Sequence, residues 1–181
     1  YISKSSFYTK GARDIIAHLS NRLSEIMHQD VAIEELIYRV YPRAATPMRD
    51  KNPANRLLSL HLTGGSGIGK TQSAEILAHA LGVGPGTAYP LSYHRVNLSK
   101  YSDQSHAVAI TGAASGLVGY NDDNLVTILI RIAKENAPFI VLHLDEACKA
   151  HPAFINGLNP LLSEGMITNV KEQAFVIPNE T

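Results

Sequence analysis

The sequence has one cysteine, Cys148, among 181 residues, so the chain cannot form an internal disulfide bond. This is compatible with a reducing compartment. Lys149 is the only basic residue beside Cys148, so we expect a packed or idle thiol rather than a nucleophile. The chain also lacks an excess of charge, because 16 Lys and Arg balance 16 Asp and Glu. Without a net positive field or a basic stripe, a specific nucleic-acid contact has no support.

Long apolar runs are missing as well. No stretch approaches the roughly 20 uninterrupted apolar residues that a membrane span requires. The first ten residues are too polar for a secretory signal. Because 45% of the residues are hydrophobic, the chain can still bury a core. We therefore expect a soluble, intracellular protein of the cytosol or mitochondrial matrix, folded as one domain over residues 1–181.

The first third of the chain has a helical pattern. Apolar residues recur at helical spacing between Gly11 and Gln29, which predicts an amphipathic helix. Asp30 can cap a second helix, which we expect to end before Pro42 because proline disrupts helix interiors. The stretch that follows, to Asn55, combines prolines with a mixed-charge run and predicts an exposed connector. Residues 1–55 are thus predicted to be a helical arm with a connector.

From residue 56 onward, short apolar runs alternate with helical patterns. This alternation predicts a three-layer α/β domain with a mainly parallel sheet over residues 56–181. Pro160 is expected to distort the last of the helices. The predicted strands are 57–62, 93–98, 139–144 and 174–177, and the predicted helices are 73–81, 122–136 and 152–162.

A glycine-rich motif lies between the first predicted strand and the helix that follows it. Residues 64–71, GGSGIGKT, match the P-loop pattern G-x-x-x-x-G-K-[ST] in the strand–loop–helix context that this motif requires. Its glycines let backbone N–H groups converge on a phosphate, Lys70 can reach the β- and γ-phosphates, and the Thr71 hydroxyl can ligate Mg²⁺. We predict that ATP or ADP binds here with Mg²⁺. The residues predicted to contact it are Gly65, Ser66, Gly67, Ile68, Gly69, Lys70, Thr71 and Gln72.

Two acids follow the most apolar predicted strand. Asp145 and Glu146 come directly after the run 139–144. Ligands of open parallel sheets bind at the carboxyl ends of the strands, so both acids should face the same crevice as the P-loop. We expect Asp145 to hold the magnesium through water, Glu146 to act as general base, and Lys70 to stabilise the transferred phosphoryl group.

These motifs resemble those of the AAA+ ATPases, in the branch of the Clp and heat-shock unfoldases, with the torsins as near relatives. The resemblance extends from about Gln29 onward and is densest in 142–152, LHLDEACKAHP. Residues 116–120, GLVGY, are similar to the Clp pore loop, and 97–101, NLSKY, to the segment before it. The resemblance implies that Asp30 lies beside the adenine and that Asn179 is the sensor-1 residue that positions the attacking water.

The sequence also departs from this family. Leu117 occupies the position of the pore-loop aromatic, and the segment between Thr168 and Ala174 is shorter than the family's hairpin. The chain ends at Thr181, before the positions at which the family carries its arginine finger and helical lid, so we expect no lid within these 181 residues. We expect ATP binding and hydrolysis that remodels protein substrates in a ring oligomer or a larger assembly. Two alternatives stay open: a nucleotide-binding scaffold or assembly factor with little turnover, and, with weaker support, a metabolic kinase.

Overall fold

The computed structural model describes residues 4–23, 30–45, 57–112, 124–134, 137 and 139–177. Seven α-helices are found in these ranges, and short 3₁₀ turns connect several of the other elements. None of the helices described is both long and apolar enough to cross a membrane. The helices are α1 (Lys4–Leu23), α2 (Asp30–Ala45), α3 (Lys70–Ala80), α4 (Val108–Thr111), α5 (Leu125–Ala133), α6 (Pro152–Gly157) and α7 (Asn159–Glu164).

The described strands form two separate two-stranded sheets. Strands β1 (Tyr93–Asn97) and β2 (Val141–Asp145) are parallel, with Tyr93 opposite Val141 and Asn97 opposite Asp145. Helix α5 lies between them in the chain, so β1, α5 and β2 form a strand–helix–strand crossover. Strands β3 (Met166–Thr168) and β4 (Ala174–Val176) form an antiparallel hairpin. The parallel pair is therefore the part of the sheet that presents Asp145.

The main hydrophobic cluster covers one face of the parallel pair. Val96, Leu142 and Leu144 point into it from the two strands. Phe154 is 1% exposed and stacks on Tyr101, with ring centroids 4.7 Å apart. The buried members of this cluster are Leu98, Ile110, Leu125, Val126, Leu129, Phe154, Leu158, Leu161, Ile167 and Phe175.

A second hydrophobic cluster joins the two N-terminal helices to α3. Helices α1 and α2 pack on each other, and α1 also packs on α3. Its buried residues recur at helical spacing, so burial rather than intrinsic helix propensity holds these helices together. They are Leu19, Leu36, Val40, Ile76 and Leu77. We call this second group the arm cluster.

The strand predicted over 57–62 is not formed. Residues 57–65 have no regular secondary structure, and Ser59, His61 and Leu62 are exposed. Leu58 and Leu60 instead pack against the arm cluster. A strand requires a neighbouring backbone for its hydrogen bonds, and no described strand pairs with this segment. Its alternating apolar residues are therefore anchored through side chains alone.

Helix α2 extends beyond the predicted stop at Pro42. It includes this proline and ends at Ala45, so the predicted boundary was wrong. Proline removes one backbone N–H and so one helical hydrogen bond, but Pro42 is exposed and only three residues from the helix end, where the loss is small. Helix α1 likewise begins earlier than predicted, at Lys4, and its predicted end near Gln29 lies outside the described residues.

The C-terminal elements also differ from the prediction. The single helix expected over 152–162 is two short helices that break at Leu158, and Pro160 lies in the first turn of the second. Strand β4 was predicted to join the parallel sheet but pairs antiparallel with β3. The turn between these strands is organised by the buried Asn169, whose side-chain oxygen accepts hydrogen bonds from the backbone N–H groups of Lys171 and Gln173.

Candidate nucleotide-binding site

The glycine-rich loop adopts a backbone that side chains rarely permit. Gly64, Gly67 and Gly69 have φ angles of 143°, 80° and 91°. These values lie in the left-handed region that glycine enters without strain. Gly69 in this conformation is also the N-cap of α3, so the loop turns directly into the helix. The first residue of that helix is Lys70.

The Lys70 side chain folds back over the loop. Its Nζ donates to the carbonyl oxygens of Gly64, at 2.9 Å, and Gly65, at 2.5 Å. The first turn of α3 is fixed at the same place, because the backbone N–H and the hydroxyl of Ser73 both donate to the Gly69 carbonyl, at 2.8 and 2.9 Å. The ammonium group is therefore held at the loop itself.

The loop leaves space for an anion. A Cβ atom built on Gly65 or Gly67 would meet no heavy atom within 4 Å. The N-terminus of α3 points its free N–H groups and positive dipole end toward the same region. Ser66 and Gly67 are exposed, Ile68 and Thr71 are half-buried, and Gln72 is exposed on the first turn of the helix. This arrangement suits a polyphosphate, as the sequence motif predicts.

Asp145 ends β2 and receives a donor on each carboxylate oxygen. Oδ2 accepts from Arg95 Nη2 at 2.5 Å, and Oδ1 accepts from the backbone N–H of Glu146 at 3.0 Å. The hydrogen bond from Arg95 is the main reason that the pKa of Asp145 lies below its ordinary value. Asp145 is therefore a carboxylate at neutral pH, the form that a hard cation requires.

Glu146 has an unusual backbone conformation. Its φ of 57° and ψ of 37° place a non-glycine residue in the left-handed region, which is uncommon and concentrates at functional sites. Its Oε2 lies 3.2 Å from Lys149 Nζ, and the glutamate side chain is 44% exposed. The predicted base is thus at the surface, one residue beyond Asp145, with a lysine beside its carboxylate.

An ion-pair bridge joins the P-loop helix to the strand of Asp145. Arg95 on β1 donates through Nη1 to Glu75 on α3 at 3.1 Å, while its Nη2 contacts Asp145. Helix α3 also packs directly on β2. Lys70 begins this same helix, so the bridge links the helix that follows the P-loop to the strand that ends at Asp145.

A groove continues from the P-loop toward α2. It encloses a cavity of about 410 Å³, between one side of α2 and the chain segment that leads into the loop. Lys70 and Ser73 line one end, and Ile33 and Leu36 supply apolar surface from α2. Glu35 and Arg39, which form an ion pair with each other, also line the α2 side. A concave site with mixed apolar and charged lining suits a small molecule such as a nucleotide.

Several predicted residues cannot be placed in this site. Asp30 is the first residue of α2, beside the groove, but its side chain lies outside the described residues. Asn179 and the segment 116–120 also lie outside them. Because β4 belongs to the hairpin and not to the sheet of Asp145, the strand from which we inferred a sensor-1 position is not where that inference assumed.

Sequence analysis missed Arg95 and Glu75. A signal was present in both cases: an arginine within a strand expected to be buried in a parallel sheet, and a glutamate one and a half turns after Lys70. Buried parallel strands are usually near-continuous apolar runs, so a charge in one suggests a specific partner. What the sequence could not supply was the register that places Arg95 next to Asp145.

The residues present fit a magnesium nucleotide. Glycine positions 65 and 67 form a cradle that no side chain fills, and Lys70 supplies a cation at its rim. The Asp145 carboxylate and the Thr71 hydroxyl are oxygen donors of the kind that Mg²⁺ prefers. Thr71 is the second residue of α3 and Asp145 the last of β2, so both belong to the two elements that Arg95 bridges.

Comparison with known proteins identifies the family. The model of the AAA domain (Cdc48 subfamily) matches residues 55–178, more than half of the chain. The chain is 30% identical over 162 residues to the chaperone protein ClpB of Lactiplantibacillus plantarum, covering 88% of this chain and 17% of that protein. It is 31% identical over 166 residues to ClpB of Lactococcus lactis subsp. cremoris, covering 90% and 17%. It is 28% identical over 172 residues to an ATP-dependent Clp protease ATP-binding subunit, a ClpA homolog of Pyropia yezoensis, covering 94% and 20%.

These relatives are Clp proteins rather than torsins, and the chain spans about a fifth of their length or less. The match includes the whole P-loop and both acids. The fold is therefore that of the P-loop NTPases, and the chain belongs to the AAA+ ATPases of the Clp type.

Proposed function

We propose that this chain binds ATP, or ADP, with Mg²⁺ at the P-loop and hydrolyses ATP to remodel protein substrates. The observation that carries the proposal is the bridge from Glu75 through Arg95 to Asp145, which links the helix that begins at Lys70 to the strand that ends in the two acids. Phosphoryl transfer needs a phosphate cradle and a metal-holding carboxylate side by side.

The phosphates are held by the backbone N–H groups of residues 65–71 and by Lys70. On binding, the ammonium group exchanges the carbonyl oxygens of Gly64 and Gly65 for phosphate oxygens, a charge-assisted contact that is stronger than the neutral one. Thr71 and Asp145 would hold the metal, which would supply positive charge beside the phosphates. The loop itself is already shaped by its three positive φ angles, so little ordering cost remains.

Glu146 is the proposed general base. Its carboxylate accepts a proton from the water that attacks the γ-phosphorus, and ADP leaves with the electrons of the broken P–O bond. Its left-handed backbone turns it away from the strand direction at the point where the sheet ends. Lys149 Nζ lies 3.2 Å from this carboxylate. Asn179 remains a prediction as the residue that orients this water.

The nucleoside is proposed to occupy the groove beside α2. Ile33 and Leu36 offer apolar contacts to a base, and Asp30 begins the same helix. The cavity of about 410 Å³ lies within the range of small-molecule sites, about 300–1,000 Å³. Helices α2 and α3 both contribute buried residues to the arm cluster, so the groove and the P-loop are borne by helices of one packing unit.

The partners proposed are protein substrates and further subunits in a ring or larger assembly. The relatives carry the names chaperone protein ClpB and ATP-dependent Clp protease ATP-binding subunit. Since the chain spans about a fifth of their length or less, these activities apply to the whole proteins and only by proposal to this chain. We also propose a reducing compartment, cytosol or mitochondrial matrix, in keeping with the exposed free thiol of Cys148.

A second candidate is a nucleotide-binding scaffold or assembly factor that threads no polypeptide. Leu117 at the position of the pore-loop aromatic favours it. A bound nucleotide stabilises a fold by mass action without turnover, by about 3 kcal/mol at a hundredfold excess over its Kd. A ring with substrate-stimulated turnover supports the remodelling function, whereas a single subunit that retains unhydrolysed ATP supports the scaffold.

Two variants test the nucleotide site directly. Lys70→Ala should weaken ATP binding about tenfold to a hundredfold, because charge-assisted hydrogen bonds contribute about 1.5–3 kcal/mol. Lys134→Ala removes an exposed lysine at the end of α5 and is the matched control. Isothermal titration with MgATP measures both. Equal affinities for the two variants would refute the phosphate role of Lys70.

The base is tested by Glu146→Gln, with Glu164→Gln at the exposed end of α7 as control. Glu146→Gln should keep ATP bound and abolish phosphate release, because the amide cannot accept the proton of water. A phosphate-release assay on matched samples separates the two steps. Turnover by Glu146→Gln at the rate of the control would exclude Glu146 as the base.

A further inference from the structure

The face of the parallel strand pair that meets α3 is polar. Alternation along the strands puts Val96, Leu142 and Leu144 on the face of the main hydrophobic cluster, and the opposite face carries Tyr93, Arg95, His143 and Asp145. Tyr93 Oη lies 2.8 Å from His143 Nδ1, and Arg95 reaches Asp145. Helices usually cover parallel sheets through apolar side chains. Polar residues in these positions therefore indicate a role other than packing.

Arg95 is shared between two carboxylates. Its Nη1 contacts Glu75 on α3 and its Nη2 contacts Asp145 on β2, with the shorter distance to Asp145. The Asp145 side chain is 19% exposed, whereas Glu75 is 50% exposed. The guanidinium is thus placed against the more enclosed of its two partners. Glu75 lies on the solvent side as a second acceptor within reach.

This contact opposes metal binding at the same carboxylate. Oδ2 of Asp145 carries the guanidinium and Oδ1 carries the Glu146 N–H, so each oxygen already has a donor. A carboxylate with a cation on one oxygen has less negative charge available for a second cation. A guanidinium also remains charged at all relevant pH values, so its repulsion of a divalent ion persists.

We propose that Arg95 is a positioning residue that sets the Mg²⁺ requirement of nucleotide binding by competing with the metal for Asp145. Metal binding moves the guanidinium toward Glu75, which accepts the displaced charge. This inference rests on the proposed function, since it assumes a magnesium nucleotide at this edge. Arg95 raises the Mg²⁺ concentration that nucleotide binding requires. Glu75 lowers it, because Glu75 draws the guanidinium away from Asp145.

The test uses the 181-residue chain and a fluorescent ATP analogue titrated at fixed free MgCl₂ concentrations, with an EDTA series as the metal-free reference. Arg95→Gln should lower the half-saturating Mg²⁺ concentration about threefold to tenfold, as expected for removing one charge near a divalent ion. Glu75→Gln should raise it. Arg95→Lys keeps the charge and should stay near wild type, and Arg13→Gln on α1 is the control for loss of an exposed arginine.

Opposite shifts for Arg95→Gln and Glu75→Gln support the proposal. An unchanged or higher Mg²⁺ requirement in Arg95→Gln overturns it, and so do shifts in the same direction. Thermal melting of the same samples identifies a purely structural role, in which both variants lose stability while the Mg²⁺ dependence stays constant. Failure of the wild-type chain to bind the analogue, with or without metal, refutes the proposed function instead.

Discussion

Replacing Gly64 with alanine tests whether the shape of the P-loop backbone carries binding. The φ of Gly64 is 143°, and a Cβ atom there would lie 2.2 Å from Cδ1 of Ile68. The Ile68 methyl is the free end of a flexible side chain and can rotate away. The main cost of Gly64→Ala is therefore the strain of holding alanine at this positive φ. A residue held in such a region costs about 1–3 kcal/mol. If the loop must keep its shape to bind phosphate, this corresponds to about a 5- to 150-fold loss of ATP affinity.

Calorimetric titration with MgATP measures the affinity, and urea unfolding of the ligand-free chain measures any part of the cost already present in the fold. Gly86→Ala is the matched control, because Gly86 also has a positive φ, 78°, and its Cβ would meet nothing within 4 Å, but it lies outside the P-loop. It should lose stability and keep its affinity for ATP. A second substitution, Ile68→Val, removes Cδ1 and should not rescue Gly64→Ala. Complete rescue, or the same ATP affinity in the two alanine variants, would show that the reasoning from backbone conformation is wrong.

Two further predictions concern stability. Burial lowers the pKa of His143 from its ordinary value of 6.5, so the unfolded chain binds the proton more tightly than the folded chain. The folded state therefore loses stability as pH falls below about 6.5. His143→Gln should flatten the dependence of urea unfolding on pH in this range, and an unchanged slope would contradict the burial argument. Phe154 is 1% exposed in the main cluster, so Phe154→Ala should reduce the free energy of unfolding by about 3–5 kcal/mol. Phe154→Leu leaves a smaller cavity and should reduce the free energy of unfolding clearly less. Equal losses of stability in the two variants would show that cavity size does not determine the cost.

The P-loop was predictable from the sequence because its shape depends on the conformational freedom of its glycines and on the order of neighbouring residues along the chain. The glycines at 64, 67 and 69 are in the left-handed conformations that the motif implies. A helix follows the loop as predicted, although it begins at Lys70 rather than at Ser73. Asp145 was predicted to end a strand, and it does. These features require only a few neighbouring residues, so the sequence pattern was sufficient.

The remaining features depend on contacts between distant segments. The run 57–62 has the composition of a buried strand, yet it has no regular secondary structure and no partner among the described strands. The composition of residues 174–177 is compatible with a strand in a parallel or an antiparallel sheet. The turn around Asn169 is what pairs them with β3 in a hairpin. The role of Arg95 depends on a strand register in which Arg95 lies opposite His143 and Asp145 lies two pairs further along. Composition determines none of these pairings.

The two elements of the proposed site pack into different hydrophobic clusters. Helix α3, which begins at Lys70, contributes Ile76 and Leu77 to the arm cluster, whereas Leu142 and Leu144 of β2, the strand that ends at Asp145, pack against the main cluster. A ligand that contacts both elements acts as a noncovalent cross-link between two packing units that could otherwise unfold separately. Saturating nucleotide should therefore make melting more cooperative, so that two overlapping transitions merge into one, in addition to raising the midpoint temperature.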